Sequence, residues 1–150
     1  MATAELDGRT SFRAGLPTGV GLILIFDLIV LHQILAWHHF YDRATPLIGL
    51  ASDGFLHAFE LLCLVGGGYW LATLRGEGRL HGGKALAGIL IGAGGFGILD
   101  GIFVHKALRF HQLRYVDELW VYDLAWNGGS GILLLVGCAM ALRLRNRSPA

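Results

Sequence analysis

Residues 16–40 read LPTGVGLILIFDLIVLHQILAWHHF. Apolar side chains fill most of this stretch, and no lysine or arginine interrupts it. An α-helix rises 1.5 Å per residue, so about 20 apolar residues cross a hydrocarbon core of ~30 Å. The stretch is long enough to do so. Lipid supplies no hydrogen-bond partners, so the backbone must satisfy itself as helix. Three further apolar runs follow, at about Phe55–Leu74, Ala85–Leu108 and Leu119–Leu142. Together they predict an all-α fold, a four-helix transmembrane bundle. It forms a single domain over residues 1–150, with spans at about 17–40, 53–74, 85–108 and 117–142.

Composition agrees with that class. The chain is 54% hydrophobic and 15% charged, with a mean hydropathy of +0.56. A soluble domain is about 25% charged. The 23 glycines would be out of place in soluble helices, whereas membrane spans tolerate them. A net charge of +1 argues against a nucleic-acid partner. Cys63 and Cys138 lie far apart, form no CxxC motif and suggest no disulfide framework. Asp7, Arg9 and Arg13 precede an apolar run too long for a signal peptide, so span one is expected to stay attached.

Basic residues set the expected orientation. Arg9, Arg13, Arg75, Arg79, Lys84, Arg143, Arg145 and Arg147 fall at one end of the predicted spans. Arg43, Lys106, Arg109 and Arg114 fall at the other. The positive-inside rule then puts both termini in the cytoplasm. Six of the seven histidines lie toward the outer side, and only His81 lies inside.

The chain also repeats itself. FDLIVLHQILAWHH (26–39) aligns without a gap on LDGIFVHKALRFHQ (99–112). Asp27 matches Asp100, His32 matches His105, and His38 matches His111. DGFLHAFE (53–60) and DELWVYDL (117–124) match less well, either through Asp53 and Asp117 or through Glu60 and Asp123. The expected unit is a helix pair present twice, related by a pseudo-twofold axis along the membrane normal.

Helix geometry says which polar groups can meet. At ~100° per residue, Asp53, His57 and Glu60 share one face of span two. Asp27 and His38 share a face of span one, with His32 and His39 about 120° away. Asp100 and His111, with His105 set apart, repeat this on span three. Asp123 and Asn127 pair on span four. Histidines at helix ends often sit in the headgroup layer, which is the plain reading of His38, His39 and His111. Charges inside spans cost at least ~2.5 kcal/mol and mark functional groups. A structural alternative is that Asp–His pairs bolt the helices together. The candidate metal ligands are therefore His57, Glu60, His32, His105, His38, His111, Asp53, Asp123, Asp27 and Asp100. His57 and Glu60 lead the set, one turn apart, and Asp27 and Asp100 are expected to orient histidines from behind. Gly92–Gly97 spells GxGxxG but lies inside span three, so the dinucleotide reading is rejected. Gly88, Gly92, Gly97 and Gly101 suit close helix packing, as do Gly66–Gly68 and Gly128, Gly129 and Gly131. Trp37, Trp120, Trp126, Tyr41, Tyr115 and Tyr122 suit an aromatic belt.

The motifs LHQILAWHH, DGFLHAFELL, DGIFVHKALRFHQLR and YDLAWN, over roughly residues 17–142, resemble a family of predicted bacterial membrane proteins, domain of unknown function 2243. The resemblance implies a four-helix protein of the bacterial inner membrane and implies no activity. Three function classes follow from the residues. The first is a histidine and carboxylate metal site near the outer side, redox-active or handling metal, suited to copper, iron, manganese or zinc. The second is a b-type haem held by the matched histidines. The third is a non-catalytic subunit or assembly partner of a respiratory complex. Expected partners are the lipid bilayer, with further copies of the chain or a respiratory complex beside it.

Overall fold

The computed structural model describes the chain from Ala2 to Asn146. Arg147, counted among the basic residues above, lies outside the described residues. Helix α1 covers Ala2–Phe26 and continues directly as a π-helix over Asp27–Ile34. Helix α2 covers Pro46–Gly76, and α3 covers Gly82–Ile98 before it also continues as a π-helix, over Leu99–Leu108. Helix α4 covers Leu119–Asn146. Four helical stretches, Leu6–Ile34, Pro46–Gly76, Gly82–Leu108 and Leu119–Asn146, are long and apolar enough to cross a membrane. No strand occurs among the described residues.

Glycine decides how the helices pack. A methyl group at Gly15 would overlap the carbonyl of Ala85, and one at Gly19 would overlap that of Ile89. From the facing side, methyls at Gly88 and Gly92 would strike the carbonyls of Phe12 and Leu16. The backbones of α1 and α3 therefore run side by side and parallel. Such close approach is what holds helices together where lipid removes the hydrophobic drive. Helix α2 packs antiparallel on α1 through Gly67 on Thr18 and Gly21 on Leu64. Helix α4 packs antiparallel on α3 through Gly94 and Gly97 on Ser130, and Gly137 on Ile91. So α1 and α3 are the inner pair, flanked by α2 and α4. The α2–α3 loop meets the start of α1, where Arg79 Nε donates to Asp7 Oδ1 at 2.8 Å. Gly83 lies against Leu144, which brings the end of α4 to the same place.

Several expectations change. The first helix ends at Ile34, so His38 and His39 sit in an irregular segment and not on a span reaching residue 40. Helix α2 starts at Pro46, ahead of the expected 53, because Thr45 caps it and Pro46 suits a first helical position that has no N–H to satisfy. Gly66, Gly68, Gly128 and Gly129 face open space and contribute nothing to close packing. Trp126 is buried and donates its indole N–H to the Gly97 carbonyl at 3.0 Å, so it belongs to the core and not to an aromatic belt.

Candidate metal centre

The two π-helical segments shape the site. A π-helix bonds i to i+5, which sets residue i+5 close above residue i. On an α-helix those residues would stand about 140° apart. Asp27 and His32 are five apart, as are Asp100 and His105, and both pairs lie within π-helix. The α-helical wheel that separates His32 from Asp27 therefore fails here. Each segment is followed by a left-handed residue that is not glycine, Ala36 at φ 46° two residues after Ile34 and Arg109 at φ 54° directly after Leu108. Such residues are uncommon and cluster at functional sites. The Trp37 N–H bonds the Leu31 carbonyl, and the Phe110 N–H bonds that of Val104. These turns swing the chain back over the helix ends, which carries in His38 and His111.

Two triads result. One ligand atom each from Asp27, His32 and His38 lie within 4.8 Å of one another, and so do atoms from Asp100, His105 and His111. All six residues are buried. The triads touch, since the His38 and His111 rings stack with centroids 4.4 Å apart. His32 lies 4.3 Å from His38, and His105 lies 4.5 Å from His111.

Hydrogen bonds fix which ring nitrogen faces the centre. His38 donates Nδ1–H to the Leu113 carbonyl at 2.9 Å, and His111 donates Nδ1–H to the Phe40 carbonyl at 2.8 Å. Each connection thus supplies the acceptor for the other connection's histidine. His32 donates Nδ1–H to Asp53 Oδ1 at 2.8 Å. In the His38 and His111 rings Nε2 is left with a lone pair, the form in which imidazole binds a metal, and His32 Nε2 lies 3.5 Å from Asp27 Oδ2. Burial, reinforced by neighbouring histidines, lowers His38 to a pKa of about 2 and His111 to about 4, so both rings are neutral at neutral pH.

Nine buried side-chain atoms among the described residues have no hydrogen-bond partner. Six of them are one atom from each triad residue: Asp27 Oδ1, His32 Nε2, His38 Nε2, Asp100 Oδ2, His105 Nε2 and His111 Nε2. His105 Nε2 is 3.0 Å from Asp100 Oδ2, yet the two do not align as donor and acceptor. Atoms this close and unaligned are placed like two ligands of one third atom.

The other candidates stand outside the triads. Asp53 also accepts from His39 Nδ1 at 2.7 Å and from the Phe40 N–H at 2.8 Å, so it orients two histidines and the backbone that follows the second. His57 and Glu60 pair with each other at 2.9 Å, with Glu60 buried and His57 partly exposed. Asp123 Oδ2 is bound by Lys106 Nζ at 2.6 Å. Arg114 lies over the rings of Trp37 and Tyr122, 4.8 Å and 5.0 Å from their centroids. Sequence reasoning misses His39 as a second donor to Asp53, although the HH pair marks it. It also misses the Leu113 and Phe40 carbonyls, which no side chain marks.

The model of one protein family, described as Predicted membrane protein (DUF2243), matches residues 14–144. The chain belongs to this family. The stretch that matches the DUF2243 model holds both triads together with Asp53, His57, Glu60 and Asp123. Comparison with curated proteins and with solved structures returns no match.

Proposed function

We propose that this protein is a membrane-embedded metalloprotein with two open first-row transition-metal sites, one in each Asp–His–His triad. The observation that carries this is the six buried ligand atoms without partners, one from each triad residue. Native proteins rarely leave such groups unpaired, and each costs on the order of 1–3 kcal/mol. Six together rival the whole stability of a domain, which is about 5–15 kcal/mol. Two ions would satisfy all six. Two histidines and one carboxylate leave coordination positions open, as in redox and oxygen-handling iron centres. Closed structural zinc sites use four protein ligands instead. The same donors suit copper, iron or zinc, in a redox or metal-handling role. Asp53 takes the orienting position behind His32, and Asp27 and Asp100 serve as ligands.

A haem finds less support, because the stacked His38 and His111 rings leave no gap for a macrocycle. The Asp–His bolt has in its favour the 2.8 Å bond from His32 on the first π-helix to Asp53 on α2. Descent of the two triads from one duplicated helix pair accounts for their likeness. Placement in a bacterial inner membrane, with the termini cytoplasmic, rests on the basic residues at the α2–α3 loop end.

The test is to purify the protein in detergent without chelator, then measure metal content and the visible spectrum. About two equivalents of a first-row metal, lost from His38→Ala and His111→Ala variants that still fold, is the expected result. No metal in the wild type, or full metal in both variants, returns the site to the bolting role. A Soret band would install haem instead.

A further inference from the structure

Three unpartnered buried atoms are not triad ligands: His105 Nδ1, Asp123 Oδ1 and Asn127 Oδ1. They belong to neighbouring turns of α3's π-helical continuation and α4. A methyl at Gly101 would strike the Asn127 side chain, one turn from His105. Lys106, next to His105 in the chain, holds Asp123 through its other oxygen, Oδ2. Asn127 Nδ2 donates to the Asp123 carbonyl at 2.9 Å, which leaves Asn127 Oδ1 as an acceptor. The antiparallel contacts along α3 and α4, from Gly94 and Gly97 on Ser130 to Gly101 on Asn127, lead on to Asp123 against Lys106, the residue after His105.

The chemistry of the three atoms is complementary to one molecule. If His105 Nε2 faces an ion, Nδ1 carries the proton and donates. The two oxygens accept. A water molecule accepts one hydrogen bond here and donates two, and buried waters typically make about three. We propose that a buried water joins His105 to Asp123 and Asn127, so that Asp123 positions His105 as Asp53 positions His32. This inference rests on the metal reading. It also gives a different equivalence between the second spans from either alignment the sequence offers: Asp53 corresponds to Asp123, and His57 to Asn127. Asp53 reaches its histidine directly and Asp123 reaches it through water.

Cobalt(II) titration of the detergent-purified protein, followed by its visible ligand-field bands, tests the assignment. Loss of an orienting partner costs about 10–100-fold in metal affinity. Asp123→Ala and Asn127→Leu should each weaken one cobalt site by that factor and alter its bands. Asp123→Asn keeps an acceptor oxygen and should restore most of the affinity. Lys106→Ala should change it little. Should Asp123→Ala fail to fold, Asn127→Leu carries the same comparison. Wild-type cobalt affinity and spectrum in Asp123→Ala or Asn127→Leu, or an equal loss in Lys106→Ala, overturns this inference alone. A wild type that takes up no cobalt overturns the metal reading, and this one with it.

Discussion

Asp53 is a single carboxylate that receives the side chains of His32 and His39 and the backbone of Phe40. Asparagine at this position keeps one acceptor oxygen but turns an NH2 group toward a donor. A buried N–H is then unsatisfied, at about 1–3 kcal/mol. Asp53→Asn should therefore lower metal affinity about 10–100-fold and lower the melting temperature. Metal titration beside a thermal melt checks both. The histidines also set a pH dependence. His38 is lowered to about 2 and His111 to about 4, chiefly by burial, while unfolded histidine titrates near 6.5. Below pH ~6.5 the unfolded chain takes up protons that the folded chain refuses, so stability falls with pH. It is complete above ~6.5 and falls by up to about 1.4 kcal/mol per pH unit for each ring. The His111 share levels off near pH 4 and that of His38 near pH 2. Thermal melts of chelator-treated protein from pH 7 to 4.5 should show the decline, and a flat series would contradict it.

At the scale of the element, two features decide whether a triad forms. One is the left-handed residue that follows each π-helix. Ala36 at φ 46° bears a strain of about 1–2 kcal/mol that glycine would not. Part of this gain is offset by the unfolded-state entropy that glycine adds. Ala36→Gly should therefore raise the melting temperature slightly and keep metal binding. Ala36→Val should lower both, because a β-branched residue resists this conformation and His38 follows two residues on. The other feature is the glycine contact between α1 and α3. Gly92→Leu would drive a side chain into the Leu16 backbone and should abolish folded yield. Gly66→Leu faces open space and should be tolerated. Size-exclusion profiles in detergent separate the two outcomes.

For the whole molecule, ion binding and folding are coupled. An ion held at a thousand times its dissociation constant stabilises by about 4 kcal/mol. For a chain of this length that is a melting shift on the order of 10 °C per ion. Treatment with chelator should lower the melting temperature by at least that amount, and first-row metal should restore it. Unchanged melting would separate the fold from the ions. Orientation is tested with Cys63 and Cys138 replaced and a single cysteine placed at Glu77. An impermeant thiol reagent should label it only after the membrane is breached. Labelling of intact cells would reverse the assignment of inside and outside.

The sequence alone determined the class, the four spans, which connections share an end, and the six residues of the triads as candidates. Burial in lipid is a rule of composition and run length, and charged or histidine side chains stand out against it. Glycine contacts on α3 were legible in part and those of Gly15, Gly19 and Gly21 on α1 were not, since a glycine's neighbours depend on which face it occupies. Only the tertiary structure decided how the candidates sort. The π-helical winding brings His32 over Asp27 where α-helical arithmetic parts them. The chain reversals after Ile34 and Leu108 turn His38 and His111 inward. Asp53 bonds His32, and His57 with Glu60 forms a pair of its own. The carbonyls of Leu113 and Phe40 orient the stacked rings. The physical reason is that winding and reversal are set by contacts between distant segments. A backbone carbonyl, moreover, is carried by every residue, and only the fold selects which one a histidine meets.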